Sequence, residues 1–330
     1  MVSVVAQCGN NLLFNTDRVS HTMSQQKNII PFMSYRMVAT VLSTLLILVS
    51  LASLATKGLN FGLDFTGGTQ IEVYYDKAVP LKQVRQALEA NGYKEATVVN
   101  FGSDQDVLVR LGQGFDDKAG AHIIEVLEKE SGVGVELRRI EFVGLQVGEE
   151  LREQGGMAML VALAMVMIYV AIRFQMKFAL GSVLALMHDV IIALGFFSLF
   201  NLSFDLTVLA AILALIGYSL NDTIVVFDRI RENFLKIRKG DACYVINVSL
   251  TQVLARTLVT SGTTMLVLIA LFIWGGDMIH GFATALLVGI FVGTYSSIYI
   301  AANLLVRMNI TREDLMPTPV SDDAAVDDRP

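Results

Sequence analysis

An aspartate at position 222 lies inside an apolar run from about Leu206 to Val226. A carboxylate there costs roughly 2.5–3.5 kcal/mol on insertion scales unless another group answers it, so it is a candidate functional residue. Gly217, Tyr218, Ser219, Leu220, Asn221 and Thr223 make the surrounding stretch small and polar. At helical spacing Tyr218, Asp222, Val225 and Arg229 fall on one stripe. The run from Leu254 to Trp274 carries a second stripe, Arg256, Thr260, Thr263 and Thr264. Arg256 and Asp222 lie in the same half of their respective helices, so their depths match. An arginine beside a carboxylate favours its ionised form and desolvation favours its neutral form. A carboxylate held between those effects can bind and release a proton within one cycle. The alternative is a static ion pair that fixes two helices together. His188 and Asp189 form a second polar pair in mid-span, suited either to a proton relay or to interhelical hydrogen bonding. Relay fits Asp189 better and bonding fits His188.

The elements that hold these groups are membrane spans. Of 330 residues 54% are hydrophobic and 17% charged, beyond what a soluble domain carries. A span needs roughly 20 apolar residues, and six segments qualify: Met37–Thr56, Gly156–Ile172, Phe178–Phe200, Leu206–Val226, Leu254–Trp274 and Gly281–Val306. Arg18, Lys27, Arg36, Arg173, Lys177, Arg229, Arg231, Lys236, Arg238 and Lys239 all fall on one side. The short links 201–205 and 275–280 carry no Lys or Arg, which places both termini in the cytoplasm. Cytoplasmic segments are expected at 1–36 and 307–330, the latter acidic around Asp322, Asp323, Asp327 and Asp328. The formal charge of -6 gives no reason to expect a nucleic-acid partner. Cys8 and Cys243 both fall on the cytoplasmic side, so no structural disulfide is expected. The first residues lack the apolar core of a cleavable signal.

One soluble domain, 57–154, interrupts the spans. Gln70–Tyr75, Ala96–Phe101, Asp106–Leu111 and Val135–Phe142 read as strands, and Leu81–Ala90 and Lys118–Glu130 as helices. The order strand, helix, strand, strand, helix, strand is ferredoxin-like. The fold class is thus a polytopic α-helical membrane protein with one α+β ferredoxin-like periplasmic domain, TM1 at 37–56 and a TM2–TM6 bundle at 155–306.

At the entrance to this domain stands Gly62-Leu63-Asp64-Phe65-Thr66-Gly67-Gly68-Thr69, and far downstream Gly217-Tyr218-Ser219-Leu220-Asn221-Asp222-Thr223 runs on to Asn233. In order and spacing from Phe61 to Arg307 the chain resembles the bacterial SecD/SecF protein-export family. Taken locally, Gly67-Gly68 reads equally as a turn or as a contact site. The resemblance makes Asp64, Gly67 and Gly68 family-motif residues. It implies one six-helix half of a fold related to the resistance-nodulation-division (RND) superfamily, located in the bacterial inner membrane. The implied role is to promote late export of preproteins with the proton-motive force. The implied partners are SecD, the SecYEG translocon with SecA, YajC, YidC, unfolded preprotein and membrane lipid. It assigns proton coupling to Asp222 and Arg256; Asp189 joins them on its own position, with Tyr218, Asn221, His188 and Thr260 in support. Leu145 stands where the family usually has proline, which is expected to loosen the entry to the second span.

No cysteine and histidine cluster at metal spacing, phosphate-binding loop or nucleophilic triad is legible, so neither an enzyme nor a resident cofactor is expected. Proton and sodium coupling stay open, because carboxylates and hydroxyls serve both. A non-transporting scaffold of the translocon, or half of a small-molecule transporter of the RND type, are the competing readings.

Overall fold

A computed structural model describes residues 29–93, 96–101, 103–111, 117–173, 176–238 and 240–311. Cys8, Arg18, Lys27, Lys239 and the acidic tail beyond 311 lie outside the described residues.

Among the described residues, six helical segments are long and apolar enough to cross a membrane. A 3-10 turn, Phe32–Tyr35, leads into α1 (Arg36–Thr56). After a two-residue strand β1 (Asn60–Phe61) and the short α2 (Leu63–Thr66), the chain enters the soluble domain. This comprises β2 (Gly68–Tyr75), α3 (Leu81–Ala90), β3 (Thr97–Phe101), β4 (Ser103–Leu111), α4 (Asp117–Ser131) and β5 (Val135–Val143). The remaining spans are α5 (Leu145–Arg173), α6 (Met176–Leu199), α7 (Leu206–Lys236) and α8 (Ala242–Trp274). The last is α9 (Asp277–Ser296), continued through a π-helical turn, Ser297–Ala301, into α10 (Ala302–Arg307). A second two-residue strand, β6 (Ser203–Phe204), links α6 to α7 and pairs in parallel with β1.

The four-stranded sheet runs β3-β4-β2-β5, antiparallel throughout, which is the ferredoxin-like arrangement expected from the order of periods. Alternation in β2 sends Ile71, Val73 and Tyr75 into a core with Val84, Leu88, Ile123 and Leu127. Tyr75 is fully buried and its hydroxyl has no partner among the described residues. Burial pushes its phenol up to about 12 from the usual 10. The neutral phenol is the form the fold keeps, so its contribution to stability is full below pH 10. It is lost as the unfolded chain ionises between pH 10 and 12. Tyr75→Phe removes the unpartnered hydroxyl. It is expected to leave stability at neutral pH unchanged or raised by up to about 1 kcal/mol, and to flatten the alkaline fall in melting temperature.

Several helices exceed their apolar cores. α7 continues to Lys236 and α8 already begins at Ala242, because polar residues that hydropathy excludes still bond within the helix or across it. Asn233, buried on α7, donates to Ser249 Oγ and Gln252 Oε1 of α8, both at 2.9 Å. Likewise α5 starts at Leu145, inside the segment assigned to the soluble domain. Its first turns pack on α2: a Cβ on Gly148 would lie 2.9 Å from Gly67 N. Leu145 thus opens the helix, its backbone against Gly67, where looseness was expected. The membrane core centres on α6, α7 and the α9–α10 segment; much less of α1, α5 and α8 is buried within the chain.

Candidate functional site

Asp205 N-caps α7 by accepting from Val208 N at 2.9 Å. Seventeen residues on, about 26 Å along the axis, the helix carries Asp222, only 7% exposed. Thr257 of α8 donates its hydroxyl to Asp222 Oδ1 at 2.8 Å, while Oδ2 has no partner among the described residues. Arg256, the neighbour of Thr257, lies on the exposed face of α8. Among the described residues it forms no ion pair with Asp222, and its charge reaches the carboxylate only through space. The direct pair expected from matched depths is therefore not made in this conformation, because the α8 residue turned inward is the threonine.

The inward face of α8 carries Val253, Thr257 and Ser261, all buried. Ser261 Oγ lies 2.8 Å from Thr294 Oγ1 of α9, and Tyr218 of α7 donates to Ser261 at 3.5 Å. Thr260, Thr263 and Thr264 instead donate back to carbonyls of their own helix. Asn221 is exposed beside Asp222. It shares an outer face with Gly217 on α7, and Arg256, Thr260 and Thr263 are exposed on the adjoining helix.

Asp189 is fully buried on α6. Ser219 of α7 donates to its Oδ2 at 2.6 Å and Ser296 of α9 at 2.8 Å, and His188 Nδ1 lies 2.9 Å from Oδ1. Asp189 is the node that joins three helices; among the described residues His188 bonds its own neighbour and its Nε2 has no partner. Gly293 makes room for this node, since a Cβ there would sit 3.2 Å from Ser219 Oγ. Ser297, the residue after Ser296, meets Thr223 Oγ1 at 3.1 Å. Consecutive hydroxyls at the start of the π-helical turn thus serve the neighbourhoods of both carboxylates. Such turns recur at functional sites.

The two buried carboxylates differ in what answers them. Both oxygens of Asp189 have hydrogen-bonding partners, whereas among the described residues Asp222 accepts within hydrogen-bond geometry on Oδ1 alone. The motif residues lie elsewhere. Asp64 accepts from Leu206 N at 2.9 Å, and Gly67 and Gly68 have φ of 65° and 116°. Thr257, Ser296 and Ser297 were not singled out in the sequence. The i, i+4 pair Thr257 and Ser261 was a legible signal, one residue away from the stripe that drew notice.

Residues 123–311 match the family described as "Protein export membrane protein SecD/SecF, C-terminal", and residues 52–79 match the "SecD/SecF GG Motif". The chain is 54% identical over 299 residues to the protein translocase subunit SecF of Vibrio alginolyticus, covering 90% of this chain and 95% of that one. To SecF of Pseudomonas aeruginosa it is 51% identical over 302 residues, covering 91% and 98%. Among solved structures it resembles the crystal structure of SecDF, a translocon-associated membrane protein from Thermus thermophilus. The TM-score is 0.79 and the identity 38%, over 86% of this chain. The match takes in 39% of the SecDF chain, so the chain corresponds to a portion of that longer protein. With six spans, a ferredoxin-like insertion and both motifs in register, the chain belongs to the SecD/SecF protein-export membrane protein family.

Proposed function

We propose that the chain is the SecF-type half of an ion-driven export device of the bacterial inner membrane. It works with a SecD half beside the SecYEG translocon and its SecA motor to draw unfolded preprotein outward late in export. YajC and YidC are its further partners. Both termini face the cytoplasm, and the sheet domain stands in the periplasm. The observation that carries this reading is Asp222, a carboxylate buried at membrane depth that accepts from Thr257 on Oδ1 while its Oδ2 has no hydrogen-bond partner among the described residues.

Three features support proton coupling over a static scaffold. Asp222 is not locked into an ion pair. The polar outer face of Asn221, Arg256 and Thr260 is exposed, costly against lipid, and suits a cover supplied by the SecD half. Arg256 there is within reach of a small helix shift, so proton binding and release at Asp222 would alternate its bonding between Thr257 and Arg256. Asp189, already held by Ser219, Ser296 and His188, serves as the fixed end of the same polar track. Tyr218, which donates to Ser261, and Thr260, on the outer face, support Asp222 from α7 and α8.

The test uses inverted membrane vesicles containing the chain with its SecD half, and follows completion of a stalled preprotein under an imposed proton or sodium gradient. Completion is expected to accelerate under the proton gradient alone. Acceleration by sodium alone would reassign the ion, and an equal response in vesicles lacking the chain would leave it a scaffold.

A further inference from the structure

Asp222 sits at the middle of α7, while the soluble domain meets that helix at its first residue, and something must join them. We propose that α2, with Asp64, is the joint that passes displacement of α7 to the central strand of the soluble domain, making Asp64 a positioning residue for export. This rests on the proton-coupled reading of Asp222.

Four contacts converge on this four-residue helix. Asp64 Oδ2 accepts from Leu206 N, the first amide of α7, at 2.9 Å. That bond is charge-assisted and complements the positive end of the helix. Just before α2, Gly62 N donates to Phe204 O at 2.8 Å, and β1 pairs with β6 immediately ahead of α7. Just after it, Gly67 meets the first turn of α5: a Cβ on Gly67 would lie 2.9 Å from Leu145 Cα. Gly68 then opens β2, which lies between β4 and β5 in the sheet.

The chemistry of these contacts decides what they transmit. Backbone packed on backbone has no side-chain rotamer to yield, so a shift of the α7 terminus moves α2 as a body. Gly68 follows by one residue, and β2 carries the sheet with it. A second tie leads the same way. Arg110 of β4 donates to Ser203 Oγ of β6 at 2.7 Å and to Gln70 Oε1 of β2 at 3.1 Å, and it faces the Asp205 carboxylate. Packing alone would require neither a carboxylate at Asp64 nor its aim at the first free amide of the helix that carries Asp222.

The test uses the chain with its SecD half in proteoliposomes, with Cys8 and Cys243 replaced by serine. One label pair, on Lys129→Cys and Phe200→Cys, reports the distance between soluble domain and membrane half. In a separate preparation the thiol-labelling rate of Asp228→Cys, exposed on α7 six residues beyond Asp222, reports on movement of α7. In the otherwise unaltered chain both signals are expected to respond to an imposed proton gradient. In Asp64→Ala the labelling response should persist and the distance response should be lost. Asp64→Asn, whose amide oxygen can still accept from Leu206 N, should restore it. Arg110→Gln, which breaks the second tie without touching α2, should shrink the distance response with labelling unchanged, and keeps the test open if Asp64→Ala does not accumulate. A distance response that survives in Asp64→Ala, or a labelling response lost with it, overturns the joint. A labelling rate insensitive to the gradient before any change at Asp64 overturns the proton-coupled reading, and the joint falls with it.

Discussion

Asp222→Asn is expected to abolish the gradient-dependent share of preprotein export while leaving the share that persists in the presence of a protonophore. The substitution keeps shape and an oxygen able to accept from Thr257, so the contact at 2.8 Å and the packing of α7 on α8 survive. What disappears is the capacity to take up and release a proton. The new amide places two N–H donors where Oδ2 now has no partner among the described residues, at a cost of about 1–3 kcal/mol. That is small against the 5–15 kcal/mol of a folded domain. Loss of function should therefore appear without loss of the protein, and measuring both in the same vesicles separates the two. Asp189→Asn makes the informative comparison. Its hydroxyl donors would keep one acceptor, so it should weaken the gradient response only in proportion to any fall in thermal stability. A full response retained by Asp222→Asn would leave the carboxylate a packing element.

The second large effect is expected from Gly67→Ala. Gly67 has φ 65° and ψ 175°, a region essentially reserved for glycine. Its missing side chain is also where the backbone of Leu145 passes, 2.9 Å from where a Cβ would stand. The conformational strain costs roughly 1–3 kcal/mol, and overpacking against a backbone that cannot rotate away roughly another 1–3 kcal/mol. Together these consume much of an ordinary stability margin. The expected result is a sharp drop in accumulated full-length chain and in melting temperature. Gly92→Ala is the control. Gly92 also has positive φ, at 96°, but a Cβ there would meet nothing within 4 Å, so only the conformational part should appear. Equal losses for the two would mean that the approach to Leu145 is immaterial.

How much of this was open to sequence reasoning follows from which signals are local. Hydropathy located the six spans, and period-two and helical patterns gave the order of the soluble domain, because each reflects one element meeting one environment. The same reading placed Asp222 at depth. It stopped at Val226 and began again at Leu254 because apolar content marks hydrocarbon, not helix ends; the Asn233 bonds to Ser249 and Gln252 belong to helix beyond the hydrocarbon. The choice between Arg256 and Thr257 turned on about 100° of helix rotation, which neighbours decide. The pairing of β1 with β6 and the reach of Asp64 to Leu206 were illegible for a different reason. Two-residue strands carry no period, and both contacts join segments 142 or 143 positions apart.

The π-helical turn at Ser297–Ala301 bears on what the last span can do. A turn that closes one residue late stores a surplus residue, and a surplus of that kind can be handed along a helix without unmaking it. Ser296 and Ser297 hold its leading edge, one tied to Asp189 and the other to Thr223 beside Asp222. Were either tie released, the slack would be free to travel. The residues it passed would each turn by about 100°, while those on either side kept their register with α7.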